Sequence, residues 1–310
     1  LTNTRDQLFA VALPVGSGAE QFFTNGGDVE NEGIEAVLSL TPIRTQDFNW
    51  DIIFNFTRNV STVVEVNDER PSILIAQDFL RAFRIEQGEP FGEVFSRGFE
   101  RDDQNRIIVG TDGLPVVTSG LTTLVANYNP DWLGGIMNQI TYKNFNLSFL
   151  IDIRQGGSVA SLTNAILYGD GLTTQTLFGR DGKAVFGEGE LAEWGEAVKE
   201  DGTPNDIEIN TEEFWRKVGG RNAPVGEVFA RDASNVRLRE LVLGYRVPLE
   251  KGPVSALRIS VVGRNLFFLS NAAEDFDPEV LVGTGKAGEG FQSFGPPTTR
   301  SFGVSLGLDF

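Results

Sequence analysis

The alternation of apolar and polar residues is the main pattern in this chain, and it is strictest at the carboxy-terminal end. From Phe302 onwards every second residue is apolar, up to the terminal Phe310, and small or polar residues occupy the positions between them. A period of two predicts a β-strand with one apolar face. Such a strand is typical of the last strand of an outer-membrane barrel, with lipid on one side and the lumen on the other. A strand of a soluble β-sandwich shows the same alternation, so this segment alone leaves both folds open.

Two further segments have the same two-sided character, with large apolar side chains on one face and mainly polar side chains on the other. In residues 48–57 the apolar face consists of Phe48, Trp50, Ile52, Phe54 and Phe56. In residues 145–154 it consists of Phe145, Leu147, Phe149, Ile151 and Ile153. Faces this apolar are unsuited to open water, so we expect them to contact either lipid or a protein core.

Weaker alternation elsewhere brings the number of predicted strands to ten. They span residues 2–8, 29–41, 48–57, 80–87, 91–99, 133–143, 145–154, 235–247, 255–265 and 299–310. Short and long connections alternate between them: the short ones are 42–47, 88–90, 144 and 248–254, and the long ones are 9–28, 58–79, 100–132, 155–234 and 266–298. This alternation favours an up-and-down barrel in a membrane, which has short periplasmic turns at one end and long outer loops at the other.

The sequence therefore predicts an all-β fold, an antiparallel transmembrane β-barrel. Ten strands close only a narrow barrel, and the long connections indicate a wider one. We expect residues 1–310 to be the carboxy-terminal part of a larger barrel, because an open strand edge is not tolerated in lipid. Inside the longest connection, the helical spacing of Val159, Leu162 and Ile166 predicts one short helix.

Composition removes several other classes of protein. The chain has no cysteine and no histidine, so disulfides, thiolate chemistry and Ser–His or Cys–His catalysis are excluded. Its net charge of −17 argues against nucleic acid as a partner. No apolar run is long enough to predict a membrane-spanning helix. Residues Gly283–Gly288 match G-x-G-x-x-G, but they are followed by a predicted loop instead of a helix, so no cofactor is expected.

Two groups of residues are candidates for contacts with a substrate. Asp152 and Arg154 share the polar face of one predicted strand, where an ion pair facing the lumen and a substrate contact are both open. Tyr168, Trp194 and Trp215 lie in the 155–234 connection. Such aromatic side chains can stack on sugar rings, but in a long connection they more often form its own core or the seat of a partner.

Two acidic groups are candidate calcium sites, because carboxylate oxygens are the ligands that calcium prefers. They are Asp102–Asp103 and the set Asp275, Asp277 and Glu279. Neither has the spacing of an EF-hand, so solvated loops are favoured for both and no metal is predicted.

Short motifs occur in a fixed order along the chain. They are N-x-G-x-V-x-N-x-G-x-E at Asn25–Glu35, G-x-P-x-G at Gly88–Gly92, N-P-D-W at Asn129–Trp132, Y-K-x-F at Tyr142–Phe145, V-R-L-R at Val236–Arg239 and L-G-Y-x-x-P at Leu243–Pro248, followed by Gly263–Phe267, Asp277–Glu279, Pro297–Arg300 and Phe310. Each motif is weak alone, and their order makes the match specific. Together they resemble the last third of a SusC/RagA-type TonB-dependent outer-membrane transporter.

The resemblance implies a barrel of about 22 strands in the outer membrane of a Gram-negative bacterium, with lipid around it and a plug inside it. The plug, the segment that contacts TonB and the early strands are expected to lie outside residues 1–310. It further implies a SusD-like surface lipoprotein over the outer mouth, with TonB acting through the plug to import an oligosaccharide or an oligopeptide.

Two other functions stay open. A soluble β-rich glycan-binding module would place Trp50, Phe54, Phe149 and Leu306 between two stacked sheets. An enzyme built on a membrane barrel would need an activated nucleophile, and the absence of histidine makes this the weakest hypothesis. We therefore expect a protein that is not an enzyme.

Overall fold

The computed structural model of the protein describes residues 2–5, 8–12, 18, 21–25, 27–66, 72–249, 252–280 and 290–310. The Gly283–Gly288 motif lies outside these residues, so its predicted loop is not tested. Within the described ranges, no helix combines the length and the apolar character needed to cross a membrane.

Strands dominate the described residues, in agreement with the predicted all-β class. In chain order the strands are β1 (Thr2–Thr4), β2 (Leu8–Ala12), β3 (Gln21–Asn25), β4 (Asp28–Arg44), β5 (Phe48–Glu65), β6 (Ser72–Gln77), β7 (Arg81–Glu86), β8 (Glu93–Ser96), β9 (Ile107–Val109), β10 (Thr123–Asn127), β11 (Trp132–Tyr142), β12 (Phe145–Gln155), β13 (Ser158–Ser161), β14 (Ala184–Val185), β15 (Ala197–Lys199), β16 (Glu208–Ile209), β17 (Ala230–Asp232), β18 (Asn235–Pro248), β19 (Ala256–Asn271), β20 (Phe291–Gln292) and β21 (Ser301–Asp309). The helices are α1 (Leu162–Gly169), α2 (Thr211–Val218) and α3 (Gly226–Phe229), with 3₁₀ turns at Thr174–Leu177 and Gly189–Ala192.

Eight of these strands form one antiparallel sheet, which we call the wall, in the order β1-β4-β5-β11-β12-β18-β19-β21. Every neighbour in the wall is also the next wall strand along the chain, so the sheet is an up-and-down meander. Its connections alternate between short turns at 45–47, 143–144 and 249–255 and long segments at 5–27, 66–131, 156–234 and 272–300. The predicted alternation of short and long connections is therefore confirmed.

The wall has an apolar face and a polar face, which are set by the cross-strand register. Along β21, Phe302, Val304 and Leu306 on the apolar face are 74%, 70% and 70% exposed. One row of successive cross-strand partners on this face consists of Leu306, Ile259, Tyr245, Phe145, Tyr142 and Phe48. Four of its six members are aromatic, and the row lies close to the short turns. We call it the aromatic row.

The residues that would have been sandwiched in a soluble module lie on this same apolar face. Trp50 and Phe54 of β5 pair with Ile140 and Ile136 of β11, and Phe149 of β12 pairs with Leu241 of β18. These three aromatic residues and Leu306 belong to none of the hydrophobic core clusters of the described residues. Among the described residues, the two stacked sheets that the soluble alternative requires over these side chains are not found.

The predicted strands 80–87 and 91–99 correspond to β7 and β8, but they do not belong to the wall, which corrects the prediction of ten barrel strands. They lie between β6 and β10 in a separate four-stranded sheet. All four residues of β8 are buried, and so are four of the six residues of β7. Protein therefore covers both faces of these strands, a case in which alternation does not report the environment. Because the two strands form a pair, removing them from the wall leaves the alternation of short and long connections intact.

Predicted loops also contain regular structure, as two examples show. Residues 9–28 hold the hairpin of β2 and β3, and residues 100–132 hold β9 and β10. These strands are short, from three to five residues, so their sequences carry too few alternating positions to be recognised.

The connections 66–131 and 156–234 fold together into one unit, which we call the loop domain. Its largest core cluster joins Phe99 and Ile107 from the first connection to Phe186, Phe214 and Phe229 from the second. The parallel pairing of β9 with β15 also links the two connections. The loop domain is therefore a folded body with its own core, held on the wall by four strand ends.

Local sequence explains where the helices of the loop domain begin. The hydroxyl of Ser161 accepts a hydrogen bond from the N–H of Asn164, and the side chain of Asn210 accepts one from Glu212, so each caps a helix amino terminus. The predicted helix is confirmed for Leu162 and Ile166, which lie in α1. Val159 was included in that helical spacing but belongs to β13.

Candidate functional site

The largest network of ion pairs among the described residues is an ionic cluster on the polar face of the wall. It joins Asp152 of β12 and Arg237 and Arg239 of β18 to Asp277 and Glu279 of the last long connection. The guanidinium of Arg237 lies 2.8 Å from the carboxylates of both Asp277 and Glu279. That of Arg239 lies 2.6 Å from Glu279 and also donates to Asp152. The cluster therefore ties the 272–300 connection to the wall.

The strand geometry brings these groups together. Arg237 of β18 is directly opposite Asp152 of β12, and a bulge around Arg239 interrupts the pairing of β18 with both neighbours. A bulge re-aims side chains, which places Arg239 beside Glu279, a carboxylate that Arg237 also contacts. The Arg237 guanidinium also stacks over the ring of Phe268 at 3.8 Å from its centroid.

Asp277 is the most buried carboxylate of the cluster, and its side chain is 6% exposed. Burial by itself raises the pKa of Asp277, but hydrogen bonds from Thr298 and Arg237 outweigh it, so that the pKa lies below its ordinary value. The carboxylate is thus ionised at neutral pH and forms a lasting anchor. The expectation of a solvated acidic loop is wrong for this residue, because its partners lie on the protein.

Asp152 and Arg154 lie close together on the wall, but they do not form the ion pair that was one of the two predictions. Asp152 pairs with Arg239, while Arg154 donates from Nη2 to the carbonyl of Tyr128 at 2.5 Å. Each side chain thus links the wall to another part of the chain. Their contact with a substrate stays a prediction.

The three predicted aromatic residues lie together in the core of the loop domain. Tyr168 and Trp215 are 4% and 6% exposed, and Trp194 packs against the same cluster from a partly buried position. The rings of Tyr168 and Trp215 meet edge to face with their centroids 4.8 Å apart, and Trp194 stacks on Phe186 at 6.3 Å. These contacts support the interpretation that the aromatic residues form the core of the connection.

Burial has a chemical effect on Tyr168. Desolvation, and then the nearby charge of Asp275, raise the pKa of Tyr168 to about 12. Its hydroxyl donates to the Asp275 carboxylate at 3.2 Å. Tyr168 and Trp215 also border a cleft of about 910 Å³ that Arg180 and Arg221 line. A stacking contact with a sugar at this cleft stays a prediction.

The acidic groups weighed as calcium sites are engaged with protein donors. Asp102 accepts from the guanidinium of Arg106 at 2.9 and 2.6 Å, and Asp275 accepts from Tyr168. Across the part of the chain that the structure describes, no group of three or more carboxylates is arranged to hold a metal ion.

A second polar site is a notch beside β5, at the end of the wall that bears the loop domain. It is a cavity of about 670 Å³ bounded by Arg58–Ser61, by the segment that precedes β11, and by the glycine pair that follows β12. Sequence reasoning missed the notch because it arises where a strand pairing stops, and no residue pattern reports such an interruption. It also missed Arg237 and Arg239, although the V-R-L-R motif at Val236–Arg239 marked them.

No protein-family model matches the chain. The chain is 24% identical to TonB-dependent receptor P3 of Formosa agariphila over an alignment of 339 positions, which covers 99% of this chain and 31% of the receptor. It is 25% identical over 301 residues to TonB-dependent receptor SusC of Bacteroides thetaiotaomicron, covering 90% of this chain and 27% of SusC. The chain thus spans about a third of the length of these curated relatives.

Solved structures support the same fold. A structure described as the RagAB peptide transporter superposes on the chain with a TM-score of 0.69 and 19% identity, covering 99% of this chain and 32% of that chain. A RagAB peptide importer in an "open-open" state gives a TM-score of 0.61 with the same coverage. The resemblance to SusC/RagA-type TonB-dependent receptors is confirmed, and the eight-stranded wall is an arc of such a barrel.

Proposed function

We propose that this chain forms the carboxy-terminal part of the barrel of a TonB-dependent importer in the outer membrane of a Gram-negative bacterium. The observation that carries the proposal is the exposed apolar face of a single-layer sheet whose short and long connections segregate to opposite ends. A face of this kind is stable in hydrocarbon, and the aromatic row near the short turns fits the girdle of an outer-membrane barrel.

The relatives support the mode of transport. Their names describe TonB-dependent receptors and a peptide transporter, and none describes an enzyme. On this basis the barrel imports oligosaccharides or oligopeptides, TonB acts through a plug, and a SusD-like lipoprotein covers the outer mouth. The loop domain, which stands at the end opposite the short turns, is the surface that such a lipoprotein meets.

The soluble glycan-binding module is the alternative that the structure disfavours, since it leaves the side chains of Phe302, Val304 and Leu306 in water. Detergent dependence separates the two functions. The importer is expected to remain monodisperse only in detergent or lipid, whereas a soluble module stays monodisperse in buffer alone.

Uptake by the native bacterium tests import directly. We expect deletion of the gene to abolish accumulation of a labelled pool of oligosaccharides or of oligopeptides, and removal of TonB to have the same effect. Restoring the gene restores uptake. Accumulation that persists without TonB contradicts the proposal.

A further inference from the structure

The notch beside β5 contains an unpaired strand edge. The ladder between β5 and β11 ends at Thr57, which is opposite Leu133. Further along the same edge, the carbonyl of Ser61 accepts from the N–H of Phe91 at 2.8 Å, and Val63 donates to Glu89 at 3.0 Å. The edge of β5 is therefore paired up to Thr57 and again from the carbonyl of Ser61, and it is unpaired between these two points.

The direction of the main chain in the gap follows from strand geometry. Successive residues of a strand send their N–H and C=O groups to alternate sides, and Ser61 and Val63 both send theirs to this edge. Asn59 lies two residues before Ser61, so its N–H and C=O point into the notch, together with the N–H of Ser61. Among the described residues these three groups have no main-chain partner at the edge. Arg58 and Val60 instead direct theirs to β4, opposite Ile34 and Glu32.

A glycine pair forms part of the opposite side of the notch. Gly156 and Gly157 have φ angles of +75° and +78°, which favour glycine. A Cβ on Gly156 would collide with the carboxylate of Asp131, and one on Gly157 would collide with the carbonyl of Asn129. The glycine pair therefore lets the chain that follows β12 pack closely against Asn129 and Asp131 at the border of the cavity.

Charged groups at the notch are available to a ligand. Arg58 and Asp131 both line the cavity and are exposed. Neither forms an ion pair with another described residue. Arg231, which pairs with Glu193, and Asp232 line the cavity as well. The notch therefore offers cationic and anionic groups together with a short run of main-chain donors and acceptors. Its volume of about 670 Å³ is within the range of pockets for small ligands.

We propose that the notch binds an extended oligopeptide, which adds a short strand to the edge of β5 at Asn59. An unpaired edge is a template for a peptide main chain, whose amides alternate with the same spacing as those of β5. The guanidinium of Arg58 and the carboxylate of Asp131 then meet acidic and basic groups of the peptide. Sugar hydroxyls lack this alternation, so a saccharide matches the edge less well. The inference rests on the proposed function only in taking the peptide as cargo.

Two substitutions at one position separate the main chain from the side chain. Asn59→Pro removes the N–H that points into the notch and leaves the pairing of Arg58 and Val60 with β4 in place, a position where a strand tolerates proline. Asn59→Ala removes only the side chain. Calorimetric titration of the complete protein in detergent with the tetrapeptide Thr-Val-Thr-Val is expected to show binding about tenfold weaker for Asn59→Pro and nearly unchanged for Asn59→Ala.

A modified probe tests the inference without any change to the protein. The same tetrapeptide with N-methylated amides cannot pair with the edge, so we expect it to bind the unaltered protein at least about tenfold more weakly. Equal affinity for the two peptides, or equal losses for the two variants, overturns edge pairing. Binding of maltotetraose that Asn59→Pro weakens, without binding of the peptide, assigns the notch to saccharides instead. Loss of uptake in cells with intact peptide binding would count against import alone.

Discussion

The wall and the loop domain use the same kinds of side chain in opposite ways. Phe302 and Val304 of the wall are 74% and 70% exposed, whereas Phe186 and Phe214 of the loop domain are completely buried. A sheet of one layer has a face that the protein itself does not cover, while the loop domain closes around a core. Apolar residues of this chain therefore contact two different environments: lipid at the wall, under the proposed function, and protein in the loop domain.

The substitution with the largest expected effect on stability creates a cavity in the loop domain. Phe214→Ala removes a fully buried ring that contacts Phe186, Trp194 and Trp215, and we expect it to destabilise the loop domain by about 3–5 kcal/mol. Chemical unfolding of the protein in micelles, followed by tryptophan fluorescence, measures the loss.

The matched control is the same substitution on the wall. Phe302→Ala removes an exposed ring from the apolar face. It therefore leaves no cavity and has a small effect on the fluorescence transition of the loop domain. Equal losses for the two variants would mean that one core spans both regions and would end the distinction between them.

The next largest effect is expected from a charge placed on the apolar face of the wall. Leu306→Arg places a guanidinium where lipid is proposed, and we expect it to weaken folding into vesicles by about 2–4 kcal/mol if the site is near the bilayer midplane. The neighbouring Ser305→Arg puts the same side chain on the polar face and is expected to cost much less. Reversal of this order would place lipid on the other face of the wall.

The smallest effect concerns the anchor that joins the wall to the 272–300 connection. Asp277→Asn weakens a charge-assisted contact with Arg237, and we expect a loss of about 1.5–3 kcal/mol at neutral pH. The pKa of Asp277 is lowered in the folded protein, so its contribution is present above the ordinary range of aspartate and disappears as the pH falls through the lowered value. The difference between the unaltered protein and the variant therefore shrinks below about pH 4.

Thermal unfolding at pH 3 and pH 7 measures this difference. Asp102→Asn serves as the control, because its carboxylate pairs with Arg106 inside the loop domain and is more exposed. We expect a smaller change for it. A difference for Asp277→Asn that is the same at both pH values contradicts the anchoring role of the ionised carboxylate.

The sequence predicted the wall well because strands with one apolar and one polar face preserve a period of two over many residues. Strands β5, β12 and β21 fall where the alternation of Phe48–Phe56, Phe145–Ile153 and Phe302–Phe310 placed them. Strands β7 and β8 also exist where they were predicted, but their place in the barrel wall was wrong, because they are buried on both faces and their apolar residues follow no single face. The alternation of apolar and polar residues reports the environment of a strand only where the two faces of the strand differ.

The candidate sites could be predicted only in part. The polar face of Asp152 was clear from its position in the strand, but its partner Arg239 depends on a bulge and on the register of β18. The notch depends on where the ladder of β5 stops. Register and bulges are set by contacts between distant segments, so the residues around Asn59 give no local sign of them.

The aromatic row has a consequence for how the protein is seated. Tyr142, Phe145 and Tyr245 share one level around the arc, as partners in adjacent strands. Rings of this kind settle at the boundary between acyl chains and headgroups, so under the proposed function the row sets the depth of the protein in the bilayer. A bilayer thicker or thinner than the apolar band would have to deform around it instead of letting the protein slide. The height at which the loop domain meets the outside medium is then fixed from the opposite end of the wall.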